Sequence, residues 1–242
     1  ALLSPAATAD SEAFKLLVSE VVREMTVKSG QKCTAIRRIF VPRALYKATA
    51  EAIAAKLAKT TVGTPRSETV RMGSLVSQEQ KASVLAGLKQ LQTEATVLFD
   101  GNTAPLVNAD ASSACVAPVL LGTESPMTAQ VLHAVEVFGP VATLMPYDSL
   151  DEAYAMVRRG EGSLVCSLYS EDPAFTAQAC VALASSHGNV MPMSLHGGPG
   201  RAGGGEELGG LRALNFYHRR SAVQGSALAL DELAAQGTKL PL

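Results

Sequence analysis

The apolar residues of this chain change their period again and again, and that rhythm limits the folds open to it. After Asp10, a residue suited to capping a helix, Phe14, Leu17, Val18, Val21, Val22 and Met25 recur at intervals of three and four. That is one face of a helix, and Gly30 ends it. Ile36, Ile39, Phe40 and Val41 form a strand-like run closed by Pro42, and Leu45, Ala52, Ile53 and Leu57 mark a second helix. The exchange continues with a helix at 77–92, strands at 95–99 and 116–121, a helix at 150–158, a strand at 164–169 and a helix at 173–184. A short apolar stretch follows near Met191. Strands alternating with helices predict an α/β fold in which helices cover both faces of a largely parallel sheet. No repeat of about 20 to 50 residues is visible, which excludes a solenoid.

Composition narrows the function classes. With 242 residues, 47% of them hydrophobic, the chain can bury a substantial core. Lys and Arg number 21 against 22 for Asp and Glu, so there is no broad basic field for nucleic acid or a lipid surface. A small molecule or a protein is the expected partner. No apolar run reaches the roughly 18 to 20 residues of a membrane span, and the amino terminus lacks a secretory pattern, so a soluble protein is expected. The four cysteines, Cys33, Cys115, Cys166 and Cys180, have neither zinc-site spacing nor the density of a disulfide framework. They suit a reducing cytoplasm, and no metal is expected.

Three of these cysteines read as core. Cys166 shares the inward phase of Leu164 and Leu168, Cys180 lies among alanines on a helix, and Cys115 precedes an apolar strand. Cys33 differs: it sits in Gly30-Gln31-Lys32-Cys33-Thr34-Ala35, between helix and strand, with Lys32, Arg37 and Arg38 close in sequence. Glycine permits a tight turn, and neighbouring positive charge favours thiolate over thiol. On local context Cys33 is either a nucleophile or an exposed loop cysteine without chemistry.

Two further segments carry paired interpretations. Val135-Glu136-Val137-Phe138-Gly139-Pro140 alternates and then stops, which describes a strand end and a turn. It equally describes a carboxylate, Glu136, that accepts from sugar hydroxyls beside a flat ring face on Phe138. The segment from His196 to Gly210 holds eight glycines, and Gly198, Gly200 and Gly203 spell a dinucleotide fingerprint. That fingerprint should open a helix and be followed about 20 residues later by an acid, whereas here more glycines and then Glu206 and Glu207 follow. A loop packed against a ligand or backbone is expected instead.

Taken in order, Gly30-Gln31-Lys32-Cys33, Glu136-Val137-Phe138-Gly139-Pro140 and Glu207-Leu208-Gly209 resemble the nucleophile, nicotinamide-ribose and glycine-loop motifs of the aldehyde dehydrogenase superfamily. The run Gly-Gln-Lys-Cys-Thr-Ala-Ile-Arg-Arg and the glycine segment are similar to the branch that oxidises CoA-linked semialdehydes in aerobic benzoate and phenylacetate breakdown, whose enzymes use NADP. The resemblance implies a three-layer helix/sheet/helix catalytic domain over 1–215. It also implies a carboxy-terminal oligomerisation strand and tail over 216–242, and a homo-oligomer. Cys33 would be the nucleophile, Glu136 would hold the nicotinamide ribose, Phe138 would bound the nicotinamide, and Glu207 would assist the water or proton path. The family's Rossmann-like cofactor domain, its oxyanion-hole asparagine and its general-base glutamate are expected on an amino-terminal domain outside these residues. At Ser186-His187-Gly188-Asn189 the chain passes from helix to glycine loop faster than the family does, as though a strand and loop were missing.

Two other functions compete. A cysteine hydrolase or acyltransferase would use His133, His187, His196 or His218 to activate Cys33. A non-catalytic assembly domain would rest on the segment 216–224, which resembles the family's subunit-pairing strand.

Overall fold

A computed structural model describes residues 1–184, 201 and 222–237. Six strands form one sheet: β1 (Leu2–Leu3), β2 (Arg38–Pro42), β3 (Thr96–Asp100), β4 (Val119–Gly122), β5 (Val141–Tyr147) and β6 (Leu168–Tyr169). Their spatial order is β3-β4-β5-β2-β1-β6, and every pairing is parallel except β3 with β4 at one edge. The helices are α1 (Glu12–Thr26), α2 (Tyr46–Leu57), α3 (Gln78–Leu91), the single turn α4 (Val131–Ala134), α5 (Leu150–Arg158), α6 (Pro173–Leu183) and α7 (Ala227–Gly237). This is the α/β arrangement that the alternating periods predict.

Strand residues alternate between two cores, so the sheet is the middle of three layers. Ile39, Val41, Leu120, Ala142 and Leu144 pack with Phe14, Leu17, Val18, Val21 and Met25 of α1 and with Ile53 and Leu57 of α2. Phe40, Val119, Leu121, Val141 and Met145 face Val84 and Leu91 of α3, Met156 and Val157 of α5, and Phe175 and Leu183 of α6. Fully burying each such side chain contributes about 1.5 to 3 kcal/mol. Serine or aspartate caps fix where four helices begin: the side chains of Ser11, Ser77, Ser149 and Asp172 accept from the N–H groups of Phe14, Gln80, Glu152 and Ala174. The first helix is therefore capped by Ser11, one residue after the expected Asp10.

One strand is unannounced in the sequence, and two expectations are corrected. The seven-residue strand β5 is buried along its whole length between β4 and β2, so it shows no alternation to announce it. The expected strand at 164–169 is regular only at Leu168–Tyr169. Its first residues are half-buried or exposed, so Cys166 is a half-buried wall residue rather than a closed-core one. The segment 135–138 is an irregular link from α4 into β5 rather than a strand end; Val137 alone is tucked into the core while Glu136 and Phe138 face out. Among the described residues no helix is long and apolar enough to cross a membrane, and no group of His, Cys, Asp and Glu is arranged to hold a metal.

Candidate active site

The loop that carries Cys33 is built from an uncommon backbone. Helix α1 stops at Thr26, and the following turn puts Lys28 (φ 52°), Ser29 (φ 54°) and Gly30 (φ 71°) in the left-handed region. For the two residues with side chains that conformation costs about 1 to 2 kcal/mol each, so neighbours must hold it. The Ser29 hydroxyl donates to Gly73 O at 2.8 Å, and the Gln31 side-chain oxygen accepts from Val76 N–H at 3.0 Å. Lys32 Nζ reaches both carboxylate oxygens of Glu24 on α1, at 2.6 and 2.7 Å. Cys33 follows, exposed.

Gly30 shows why no side chain is tolerated there. A Cβ would overlap the Gly139 carbonyl and come within 2.8 Å of Pro140 N. The Cys33 loop thus lies directly against the Gly139-Pro140 turn that ends the Glu136 motif. Arg37 ties the two together: Nη1 donates to Gly139 O and Nη2 to Gly30 O, both at 2.6 Å. Its guanidinium also lies 5.5 Å from the centre of the Phe138 ring, and its Nε is 3.7 Å from a Glu136 carboxylate oxygen. Burial pulls the Arg37 guanidinium below its usual pKa, with Glu136 pulling it back up. Gln80 of α3 fixes the turn from outside by donating to Phe138 O at 2.7 Å.

Cys33, Arg37, Glu136 and Phe138 line one open cleft of about 370 Å³. Gly160 and residues 162–167 also line it, among them Cys166, whose thiol is pushed up by burial. Arg38 lies deeper. Its Nη1 donates to Met156 O at 2.8 Å and to His133 Nδ1 at 3.1 Å, and its Nη2 to Val157 O at 3.2 Å. Desolvation brings this guanidinium down to about 10. The positive charges expected around Cys33 are therefore engaged elsewhere: Lys32 with a carboxylate, Arg37 with backbone carbonyls, and Arg38 with α5 carbonyls and His133.

His133 is the only histidine among the described residues. Its Nε2 must donate to Pro126 O, 3.0 Å away, which leaves Nδ1 to accept from Arg38. With both nitrogens occupied and the ring buried, it is no base for Cys33; His187, His196 and His218 lie outside the described residues. Glu207, the fingerprint Gly198, Gly200 and Gly203, Ser186, His187, Gly188 and Asn189, the stretch near Met191, and 216–221 of the expected pairing strand also lie outside them. Of the glycine-rich segment, Arg201 is described. It borders the same cleft, donating from Nη2 to Ala134 O at 3.1 Å and from its backbone N–H to Glu161 O at 2.9 Å.

Sequence reasoning named Cys33, Glu136 and Phe138 but missed Arg37 as the link between them. Its only signal was a second arginine beside Arg38 at the start of a strand. The arrangement sets an open carboxylate beside an exposed ring. Glu136, with 55% of its side chain exposed, has lone pairs free for hydroxyls, and Phe138 offers an exposed ring beside it.

A sequence model of the aldehyde dehydrogenase family matches residues 4–223. The chain is 47% identical over 218 residues to 3,4-dehydroadipyl-CoA semialdehyde dehydrogenase of Aromatoleum evansii, an alignment covering 82% of this chain and 42% of that protein. It is 37% identical over 182 residues to Protein MaoC of Klebsiella aerogenes, covering 68% of this chain and 53% of that one. The chain thus spans about half the length of the curated relatives it matches. Among solved structures, betaine aldehyde dehydrogenase from Staphylococcus aureus, a point mutant in complex with NAD+, superposes with a TM-score of 0.72 at 20% identity over 89% of this chain and 43% of that one. Succinic semialdehyde dehydrogenase from Streptococcus pyogenes with NADP+ gives 0.70 at 19% identity over 84% and 44%. At those identities the likeness speaks to the fold.

Proposed function

The chain belongs to the aldehyde dehydrogenase family, and from that premise we propose that it carries the nucleophile and the nicotinamide-facing groups of an NADP-dependent enzyme oxidising a CoA-linked semialdehyde to its acid. The observation that carries the reading is the shared cleft, in which Cys33 meets Glu136 and Phe138. The Cys33 thiolate adds to the aldehyde carbon, and its own backbone N–H helps hold the oxygen as it becomes negative. NADP, when bound, accepts hydride from that carbon. Glu136 holds the ribose hydroxyls and Phe138 bounds the ring, so that the carbon and its acceptor are aligned. The thioester left on Cys33 is released by water. Glu207 assists the water or proton path, and the activating base belongs to an amino-terminal cofactor domain. The CoA-linked semialdehyde and NADP are supported by the motif resemblance, and the substrate class also by the name of the relative from Aromatoleum evansii. The segment 216–242 is proposed as the pairing strand and tail of a homo-oligomer.

The test uses the full-length protein. Cys33→Ala lowers aldehyde oxidation by about 10⁴-fold or more while the fold persists, and alkylation selects exposed Cys33 over buried Cys115 and half-buried Cys166 and Cys180. Ordinary turnover by that variant would end the proposal. The CoA-linked semialdehyde is turned over better than the free one, in rate as well as affinity, because remote binding orients the aldehyde. Equal efficiency on both would remove the branch while leaving the family.

A further inference from the structure

Among the described residues, a single buried side-chain nitrogen or oxygen has no hydrogen-bond partner, and it is Arg37 Nε. It sits in the wall of the cleft. Both terminal nitrogens of the same guanidinium are committed to Gly30 O and Gly139 O at 2.6 Å, and because the group is planar and rigid, those two bonds fix where the third N–H lies. Nearest to it in charge is Glu136 Oε1, at 3.7 Å: close enough for an ion pair, too far for a hydrogen bond. A buried donor left open costs free energy unless something compensates for it.

We propose that Arg37 is the positioning residue for the Glu136 carboxylate. It takes one carboxylate oxygen so that the other is presented to the ribose hydroxyls, and it backs the Phe138 ring with the same cation. A small inward movement of the carboxylate completes the Nε bond, so ligand capture and closure of this open donor are one event. With only 15% of its side chain exposed, Arg37 is poorly screened on its own side, which strengthens its hold on Glu136. The inference rests on the reading of Glu136 as the ribose acceptor.

A merely structural Arg37 would hold the two loops without acting through Glu136, and a double-mutant cycle separates the two roles. In the full-length enzyme, NADP affinity is titrated for R37Q, E136Q and the double variant, and the aldehyde KM is measured alongside. Each single substitution is expected to weaken NADP about 10-fold, with the double variant no more than about twofold worse than either, a coupling of about fivefold or more. The aldehyde KM stays within about twofold. Should R37Q fail to fold, the cycle is read with R37K, which keeps the charge but cannot bridge both carbonyls; the same coupling is expected. Losses that multiply independently, or an Arg37 variant with unchanged NADP affinity beside a weakened E136Q, overturn the positioning role. Unchanged NADP affinity in E136Q overturns the ribose reading itself, a separate result.

Discussion

Arg37 immediately precedes strand β2 and Arg38 opens it, and although both line the cleft they are tied to different regions. On the Arg37 side two loops meet through glycine backbones, with one donor open toward an exposed carboxylate. On the Arg38 side the guanidinium closes the end of α5 by binding Met156 O and Val157 O, orients His133 and rests on the Phe40 ring at 5.4 Å. The first arginine lines the cleft by bridging two loops, and the second by tying the cleft wall to α5. Adjacent, identical residues thus take entirely different partners.

The comparison breaks most readily at Gly30. Gly30→Ala adds a Cβ at positive φ and into the Gly139 carbonyl, which cannot retreat without moving β5. A loss of about 4 kcal/mol or more is expected by denaturant unfolding, together with loss of activity; a wild-type midpoint would mean the loops are not in contact. Next comes Arg38→Met, which strips partners from two helix-end carbonyls and from His133, and should cost about 3 kcal/mol. Its NADP affinity should remain that of the wild type, and a loss as large as that of an Arg37 variant would mean that both arginines act on the cofactor.

Smaller effects sharpen the contrast. Lys32→Met removes the partly buried pair with Glu24 and should lower stability by about 1 kcal/mol, read as a shift in melting temperature. A drop of several times that would make the Cys33 loop depend on this pair rather than on glycine packing. The smallest effect is one of pH. Burial lowers the His133 pKa from its ordinary 6.5, with Arg38 and Arg159 acting in the same direction and Pro126 O and Glu94 opposing. A histidine depressed in the folded state contributes stability above its unfolded pKa, and that contribution is lost as pH falls below it. Unfolding free energy should therefore decline from pH 6.5 downward, and more gently in His133→Asn. An identical slope in both proteins would assign the acid sensitivity elsewhere.

Much of this was legible along the chain, for physical reasons that differ by element. The helices α1, α3 and α5 announce themselves because each has one buried face and a serine cap. Strand β5 does not, since it is covered on both sides and carries Pro146 within a central strand, a residue that argues against the assignment. The site was legible as types of residue. Cys33, Glu136 and Phe138 stand out by motif, but that they share a cleft depends on Arg37 bonding to a carbonyl 102 positions away. Local patterns hold no record of a bond at that distance.

That same long bond has a consequence in time. Closing a loop of this length carries an entropic penalty before any contact rewards it. The turn at Lys28, Ser29 and Gly30 gains its support from Gly139 only once β5 is seated beside β2. The thiol should thus acquire its surroundings late in refolding, after α1 and α2 have docked on their face of the sheet. Pulsed alkylation during refolding would register this as a Cys33 reactivity that settles to its native rate after most helical signal has returned. Chains trapped short of that stage would carry Cys33 without the cleft around it.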